Sequence, residues 1–301
     1  MKRAIGIGGI GTGIFFSLLG NDTLGRNESR AAHLLDWQDY CKGHIIMHYV
    51  AKLSGVPCSL WGKVGRDAQG DRLLEKMRQA GLDTAMIARD DAPTLFSVCF
   101  QYPDHAGGNI TTASSSCDAV DIPYIDACLA AAPLDADCLV LCAPEVPLES
   151  RLHLMRAAKR AGAYVAASFL TQEAEDFAAG GGFALCDLLA INEDEAAALA
   201  DSPRACYARL SGENPRLTLA VTQGARGAEI FTAGEVLRVD APDGPVRSTA
   251  GAGDAFLAGL LIGKLQEKPL ADAARIARTL AGFAVASPHT INDEVEAWHI
   301  Y

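Results

Sequence analysis

The stretch Ser248-Thr249-Ala250-Gly251-Ala252-Gly253-Asp254-Ala255-Phe256-Leu257-Ala258-Gly259-Leu260 sets a short Gly-rich turn directly before an apolar, helix-competent segment. Small residues at Gly251, Ala252 and Gly253 leave backbone N–H groups uncovered. The start of a helix adds unpaired donors and a partial positive charge, so the turn suits an anion such as a phosphate. Asp254 stands at the junction. A carboxylate among donors that hold a phosphate can take a proton from an attacking hydroxyl. The pattern points to phosphoryl transfer to an alcohol. Read alone, the same turn also fits a capped helix start with Asp254 as the cap.

The elements that position this turn alternate between strand and helix. Residues 2–9 read as a short apolar strand before glycines, 43–53 as a helix, and 59–64 as a strand. Residues 69–80 form an amphipathic helix that stops at Gly81. Strands at 138–142, 164–167, 188–191 and 217–222 alternate with helices at 149–161 and from Glu193. A hairpin follows over 228–238, and two helices over 252–265 and 270–286 close the chain. Apolar, non-alternating strands separated by helices predict a parallel sheet covered on both faces. Residues 94–102 alternate partially and are followed by a turn at 104–109 and a second short strand, a hairpin standing off the main sheet. The expected fold is α/β: one three-layer αβα domain over 1–301, doubly wound and mainly parallel. A small β lid is expected from parts of about 12–42 and 92–116.

A chain of 301 residues can bury one large core. Half its residues are apolar and 21% are charged, as in a soluble enzyme. The formal charge is 26 − 37 = −11, which argues against nucleic acid or an anionic membrane as partner. The nine cysteines are scattered and none is spaced Cys-x-x-Cys. They read as buried thiols in a reducing, cytoplasmic compartment. The apolar stretch to Leu19 superficially resembles a signal peptide, but Gly6, Gly8, Gly9, Gly11 and Gly13 interrupt it. Gly6-Ile7-Gly8-Gly9-Ile10-Gly11 also spells Gly-x-Gly-x-x-Gly. A dinucleotide-binding oxidoreductase would need a helix directly after it.

Four elements in order resemble the ribokinase-like (PfkB-type) carbohydrate kinase family, over about 54–285. Thr249-Ala250-Gly251-Ala252-Gly253-Asp254 is similar to its Asp-Thr-x-Gly-Ala-Gly-Asp signature, and Val64-Gly65-Arg66-Asp67-Ala68-Gln69-Gly70 to its Val-Gly-x-Asp-x-x-Gly element. Asn192-Glu193-Asp194-Glu195 resembles its Asn-x-x-Glu motif, and Thr222-Gln223-Gly224-Ala225-Arg226-Gly227 its Thr-x-Gly-x-x-Gly nucleotide loop. The resemblance implies ATP as phosphoryl donor and Mg²⁺ as its partner. Asp254 would be the general base, and the N–H groups of Ala252, Gly253 and Asp254, with Gly251 giving room, would form the anion hole. Asn192 and Glu195 would organise Mg²⁺ through water. Thr222, Gly224, Gly227 and Thr249 would line the nucleotide, and Arg278 would lie over its base. Without the resemblance, Glu195 reads equally as a solvated surface charge and the 222–227 turn as an ordinary strand end.

The acceptor half departs from the family. Ser248 stands where the signature begins with Asp, which removes a group that relatives use for a monovalent cation, so K⁺ activation is not expected to carry over. Gly13 falls at the place of a sugar-binding Asp. The Gly-Gly…Asn element is replaced by a stretch containing Gly43 and His48 but no Asn, and Ser168-Phe169-Leu170 replaces an Asp-Pro-Asn-like strand end. Gly13, Gly43 and His48 are the candidate acceptor positions. Asp22, Asp39, Lys42 and His44 are further sources of contact, each equally readable as structural. The insertion at 23–40 carries Arg26, Glu28, Arg30, Asp36 and Trp37. Its arginines would suit an acceptor already bearing a carboxylate or phosphate. Lids in this family often pair between subunits, which makes a homodimer the candidate assembly. A non-catalytic, nucleotide- or sugar-binding relative is the other reading.

Overall fold

Cys138–Cys142 is apolar at every position, and every side chain in it is buried. Leu139 and Leu141 point into one core layer, and Cys138, Val140 and Cys142 into the other. A strand packed on both faces must lie inside a sheet covered on both sides. The computed structural model describes residues 1–23, 25–104 and 107–300. Its strands are β1 (Arg3–Ile7), β2 (Gly11–Leu18), β3 (Ala32–Tyr40), β4 (Cys58–Gly65), β5 (Leu82–Asp83), β6 (Ile87–Asp90), β7 (Leu95–Gln101), β8 (Gly107–Thr111), β9 (Cys138–Cys142), β10 (Tyr164–Ala167), β11 (Leu188–Asn192), β12 (Thr218–Thr222), β13 (Ala228–Phe231) and β14 (Val236–Val239). Its helices are α1 (Lys42–Ser54), α2 (Ala68–Gln79), α3 (Ile122–Ala131), α4 (Leu148–Arg160), α5 (Ala174–Ala179), α6 (Gly182–Leu185), α7 (Glu193–Ala197), α8 (Pro203–Glu213), α9 (Ala252–Leu265), α10 (Leu270–Ala286) and α11 (Ala297–Ile300).

The main sheet runs β14-β13-β12-β11-β10-β9-β1-β4-β5, with β6 also on β4. It is parallel except where β13 and β14 turn back at one edge. The strand order reverses at β1, which pairs β4 on one side and β9 on the other. In doubly wound sheets, ligands bind beyond the carboxyl ends of strands at such a switch point. Helices α1, α9 and α10 cover one face and α4 covers the other. A Cβ on Gly259 would stand 2.3 Å from Ala277 Cα, so α9 sits backbone-close on α10 and its first turn is rigidly placed. No helix among the described residues is long and apolar enough to cross a membrane.

A second, four-stranded sheet runs in the order β3-β2-β7-β8, its strands falling within the two spans expected to form a lid. Residues 105 and 106 of the expected 104–109 turn, and the side chain of Trp37, lie outside the described residues. The Gly-x-Gly-x-x-Gly letters do not open a dinucleotide site, because β1 passes through Gly8–Ile10 into strand β2 and no helix follows. All nine cysteines are free thiols, and Cys99 alone among them is not buried.

Candidate active site

A cleft of about 590 Å³ opens at the carboxyl ends of β10, β11 and β12. Gly251, Ala252, Gly253, Asp254, Asn192, Glu195, Thr222, Gly224, Gly227, Thr249 and Arg278 all line it. Val239, Ala241, Pro242, Val246, Ala281 and Val285 supply an apolar part of its lining.

Gly251 precedes the helix with φ 77° and ψ −5°. A Cβ there would meet the Thr290 carbonyl oxygen at 2.5 Å. Glycine satisfies both the left-handed backbone and the close approach. The N–H groups of Gly253 and Asp254 donate to nothing among the described residues, whereas that of Ala252 makes a 3.3 Å bond to Thr249 O. Two of the three expected donors are therefore free. Asp254 reaches into the cleft with 14% of its side chain exposed, and its Oδ1 lies 4.0 Å from Lys42 Nζ. Burial raises the Asp254 carboxyl above its ordinary range, and the Lys42 ammonium opposes that rise. The same pairing raises Lys42 against its own desolvation.

Asn192 and Glu195 form a capping box at the start of α7. Asn192 Oδ1 accepts from Glu195 N, and Glu195 Oε2 accepts from Asn192 N, each at 2.8 Å. Glu195 is 5% exposed, so it is not a solvated surface charge. Burial raises its carboxyl, partly offset by Lys42. Among the described residues no three His, Cys, Asp or Glu side chains group to hold a metal ion. Mg²⁺ needs no such cage, because it keeps several waters and is typically bound through one or two carboxylates and substrate phosphates. One buried carboxylate and one amide beside a phosphate-sized space fit that mode.

Arg278 lines the cleft, but its guanidinium is spent on the wall. It donates to Asp240 O and Ala241 O and pairs with Asp243. It holds the 240–243 loop in place.

The acceptor candidates are not gathered in the same way. Gly43, Gly13 and His48 do not line the cleft. A Cβ on Gly43 would stand 2.8 Å from Gly8 Cα, so this glycine seats α1 against the end of β1. His48 is buried, with Nε2 3.3 Å from Asp293. His44 is fully buried, and neither of its ring nitrogens has a hydrogen-bond partner among the described residues. Arg30 pairs with Glu28 and donates to Asp22 O in the lid, while Arg26 is exposed. These contacts answer the Arg30 charge within the lid itself.

The sequence reading missed Glu145. It follows β9 with a left-handed φ of 71°, rare for a residue with a side chain. Its Oε2 accepts from Lys42 N at 2.9 Å. Burial pushes its carboxyl up to about 7, with Lys42 pulling it down and Asp254 pushing it further up. The signal was an acid just beyond the apolar run 138–142, past Ala143 and Pro144, at the carboxyl end of a strand beside the switch point.

Fructokinase from Klebsiella pneumoniae is 29% identical over 228 residues, covering 71% of this chain and 73% of that protein. Among solved structures, ribokinase from Cryptococcus neoformans var. grubii serotype A in complex with ADP superposes with a TM-score of 0.81 at 20% identity, covering 100% of this chain and 99% of that one. Arabidopsis thaliana ribokinase complexed with ribose and ATP gives a TM-score of 0.73 at 18% identity, covering 99% and 96%. The two structures establish the three-layer fold. The model of the pfkB family carbohydrate kinases matches residues 46–297, and the chain belongs to that family.

Proposed function

We propose that this chain transfers the γ-phosphoryl group of ATP to a hydroxyl of a sugar or sugar-like acceptor. The observation that carries the reading is the Asp254 carboxylate, set inside the cleft on the first turn of α9 beside the free N–H groups of Gly253 and Asp254. The ADP, ATP and ribose bound by the two structural relatives support it. The adenine packs against the apolar part of the lining and the triphosphate runs toward Gly251–Asp254. Asp254 takes the proton of the acceptor hydroxyl as its oxygen attacks the γ-phosphorus. The bond to the β,γ-bridging oxygen breaks and ADP leaves. The two free amides and the Lys42 ammonium meet the charge that gathers on the transferring oxygens, which is the main demand of phosphoryl transfer. Asn192 and Glu195 are the residues that would hold Mg²⁺, through water. When bound, Mg²⁺ supplies charge neutralisation on the phosphates.

Asp254→Asn tests this. General-base catalysis is worth about 10²–10⁴-fold. The variant is expected to bind ATP as the wild type does and to release ADP at least about a hundredfold more slowly in the presence of acceptor. Equal turnover refutes the role of Asp254. ATP binding by the wild type without turnover of any sugar, polyol or nucleoside supports a non-catalytic relative instead.

The lid's two faces differ. Ile14, Phe96, Val98 and Ile110 lie on one side, while Ser97, Cys99, Asn109 and Thr111 lie on the other. Ile110 is 68% exposed. The apolar side is the surface we assign to a homodimer contact with a second lid.

A further inference from the structure

The side of the β3-β2-β7-β8 sheet that carries Ser97 and Cys99 holds the carboxylates of Asp36, whose Oδ1 meets Gln38 N and His289, and of Asp39, which has no charged partner among the described residues. The register of β2 sets Gly13 beside Asp39 on β3 and beside Ser97 on β7. A Cβ built on Gly13 would stand 2.6 Å from the Ser97 carbonyl oxygen and 3.3 Å from Asp39 Oδ2. Position 13 is closed to a side chain by the neighbouring backbone, and the space in front of it belongs to the Asp39 carboxylate. The thiol of Cys99 donates to Oδ2 at 3.1 Å. No lysine, arginine or histidine pairs with Asp39 among the described residues. Burial raises its carboxyl, Cys99 opposes the rise, and the charges of Asp36 and Asp254 add to it. The next residue, Tyr40, donates its N–H to Thr290 Oγ1 at 3.2 Å, and the Thr290 carbonyl oxygen stands 2.5 Å from the Cβ position of Gly251, so Asp39 lies beside the turn that carries the proposed base. Ser97, Asn109 and Thr111 stand on its side of the sheet, with Ser97 Oγ and Thr111 Oγ1 3.1 Å apart.

A partly buried carboxylate with a weak thiol donor, the neighbouring Tyr40 amide and no cation is under-paired, and hydroxyl donors to an ionised carboxylate supply strong hydrogen bonds. Resting on the phosphotransfer reading above, we propose that Asp39 grips the acceptor's hydroxyls, and that it selects an uncharged polyhydroxylated acceptor. The carboxylates of Asp39 and Asp254 both stand at this end of the site, and the ammonium of Lys42 lies 4.0 Å from Asp254 Oδ1. A sugar acid or sugar phosphate placed there meets like charge, which is costly at short range. This reverses the expectation drawn from the arginines at 26 and 30.

The test uses the full chain. ADP release is screened against neutral sugars, sugar acids and sugar phosphates, and Asp39→Asn is then compared with the wild type on the best acceptor and its monodeoxy analogues. A hydrogen bond to a charged group is typically worth about 10- to 100-fold. The acceptor KM is expected to rise by about that factor, while ATP KM stays within about twofold. One deoxy analogue loses the same factor in the wild type and nothing further in the variant, a signature that a merely structural aspartate cannot give. Melting of Asp39→Asn should match or exceed the wild type, because an under-paired buried charge is removed. Cys99→Ala, which removes the thiol donor, is expected to shift acceptor KM and leave ATP KM alone. Unchanged acceptor KM in both variants overturns the assignment of Asp39 while the phosphotransfer reading stands. So does a preference for sugar acids or phosphates. A wild type that transfers phosphate to no acceptor refutes both together.

Discussion

Gly251 and Gly253 lie two residues apart in the same turn, and the structure predicts opposite consequences for the same methyl group. At Gly251 the backbone is left-handed, with φ 77°. An alanine there costs about 1–2 kcal/mol from conformation alone. Its Cβ would also stand 2.5 Å from Thr290 O and 3.2 Å from Thr290 Cα. The obstacle is backbone, so the 287–293 loop must move, which costs about 1–3 kcal/mol in a packed site. Thr290 is itself tied to the lid, accepting from Tyr40 N and donating to Gln38 O. The displacement therefore reaches β3 and Asp39. Gly251→Ala is expected to lose about 2–5 kcal/mol, a fall of roughly 5–10 °C in Tm for a chain of this size. Its acceptor KM should worsen along with its kcat. Gly253 has no left-handed φ, and the single atom within 4 Å of its virtual Cβ is Thr222 Oγ1 at 3.8 Å. Gly253→Ala should be stable, gaining about 0.5–1 kcal/mol from the better helix former. The methyl would nevertheless stand in the open cleft beside Thr222, where the phosphates are placed, and ATP KM should rise about tenfold or more. Differential scanning fluorimetry and coupled ADP-release kinetics on the two variants separate the effects. Full activity in Gly253→Ala refutes the placement of the phosphates. Wild-type melting of Gly251→Ala refutes the steric account of the turn.

How much of this was legible depended on how local the information was. The turn at 251–254 and the strand 138–142 announce themselves, because small residues before an apolar helix and an unbroken apolar run each have few structural solutions. The expected spans 138–142, 164–167, 252–265 and 270–286 match the observed elements residue for residue. The proposed nucleotide half of the site follows from them, since each of its residues sits within a few positions of a strand end or a helix start. The acceptor half does not. Asp39 meets Gly13 only through a strand pairing that spans the insertion, and that pairing is irregular, with register shifts between Gly13 and Phe15 and between Phe15 and Phe16. Such bulges erase the alternation by which a strand is read. His48 misled for another reason. Helix α1 is buried nearly all round, from Gly43 to Val50 without a break, so a polar residue on it marks neither a solvent face nor a ligand face.

Two further predictions concern the lid and the buried acid. Ile110 lies opposite Val98 on the apolar face of the lid, and burying an isoleucine is worth about 1.5–3 kcal/mol. A two-fold contact uses it twice, so Ile110→Asp should weaken a lid-mediated dimer by a hundredfold or more on that scale. Analytical ultracentrifugation would show the shift to monomer, and a wild type already monomeric at high concentration refutes the assembly. Glu145 supplies the pH signature. Its carboxyl rises from 4.5 to about 7 on folding. Between those values the native state holds a proton that the unfolded chain has released. The slope of stability with pH is therefore negative there. The contribution is fully present below about 4.5 and is lost as pH rises through about 7. Glu145→Gln carries no such proton and keeps an acceptor oxygen for Lys42 N. Relative to the wild type, its Tm should improve steadily as pH is raised across that window and level off above it. A difference that stays flat from one end of the window to the other would mean that Glu145 is ionised throughout, paired with Lys42 more tightly than their geometry implies, and that Lys42 has less charge to offer the γ-phosphate.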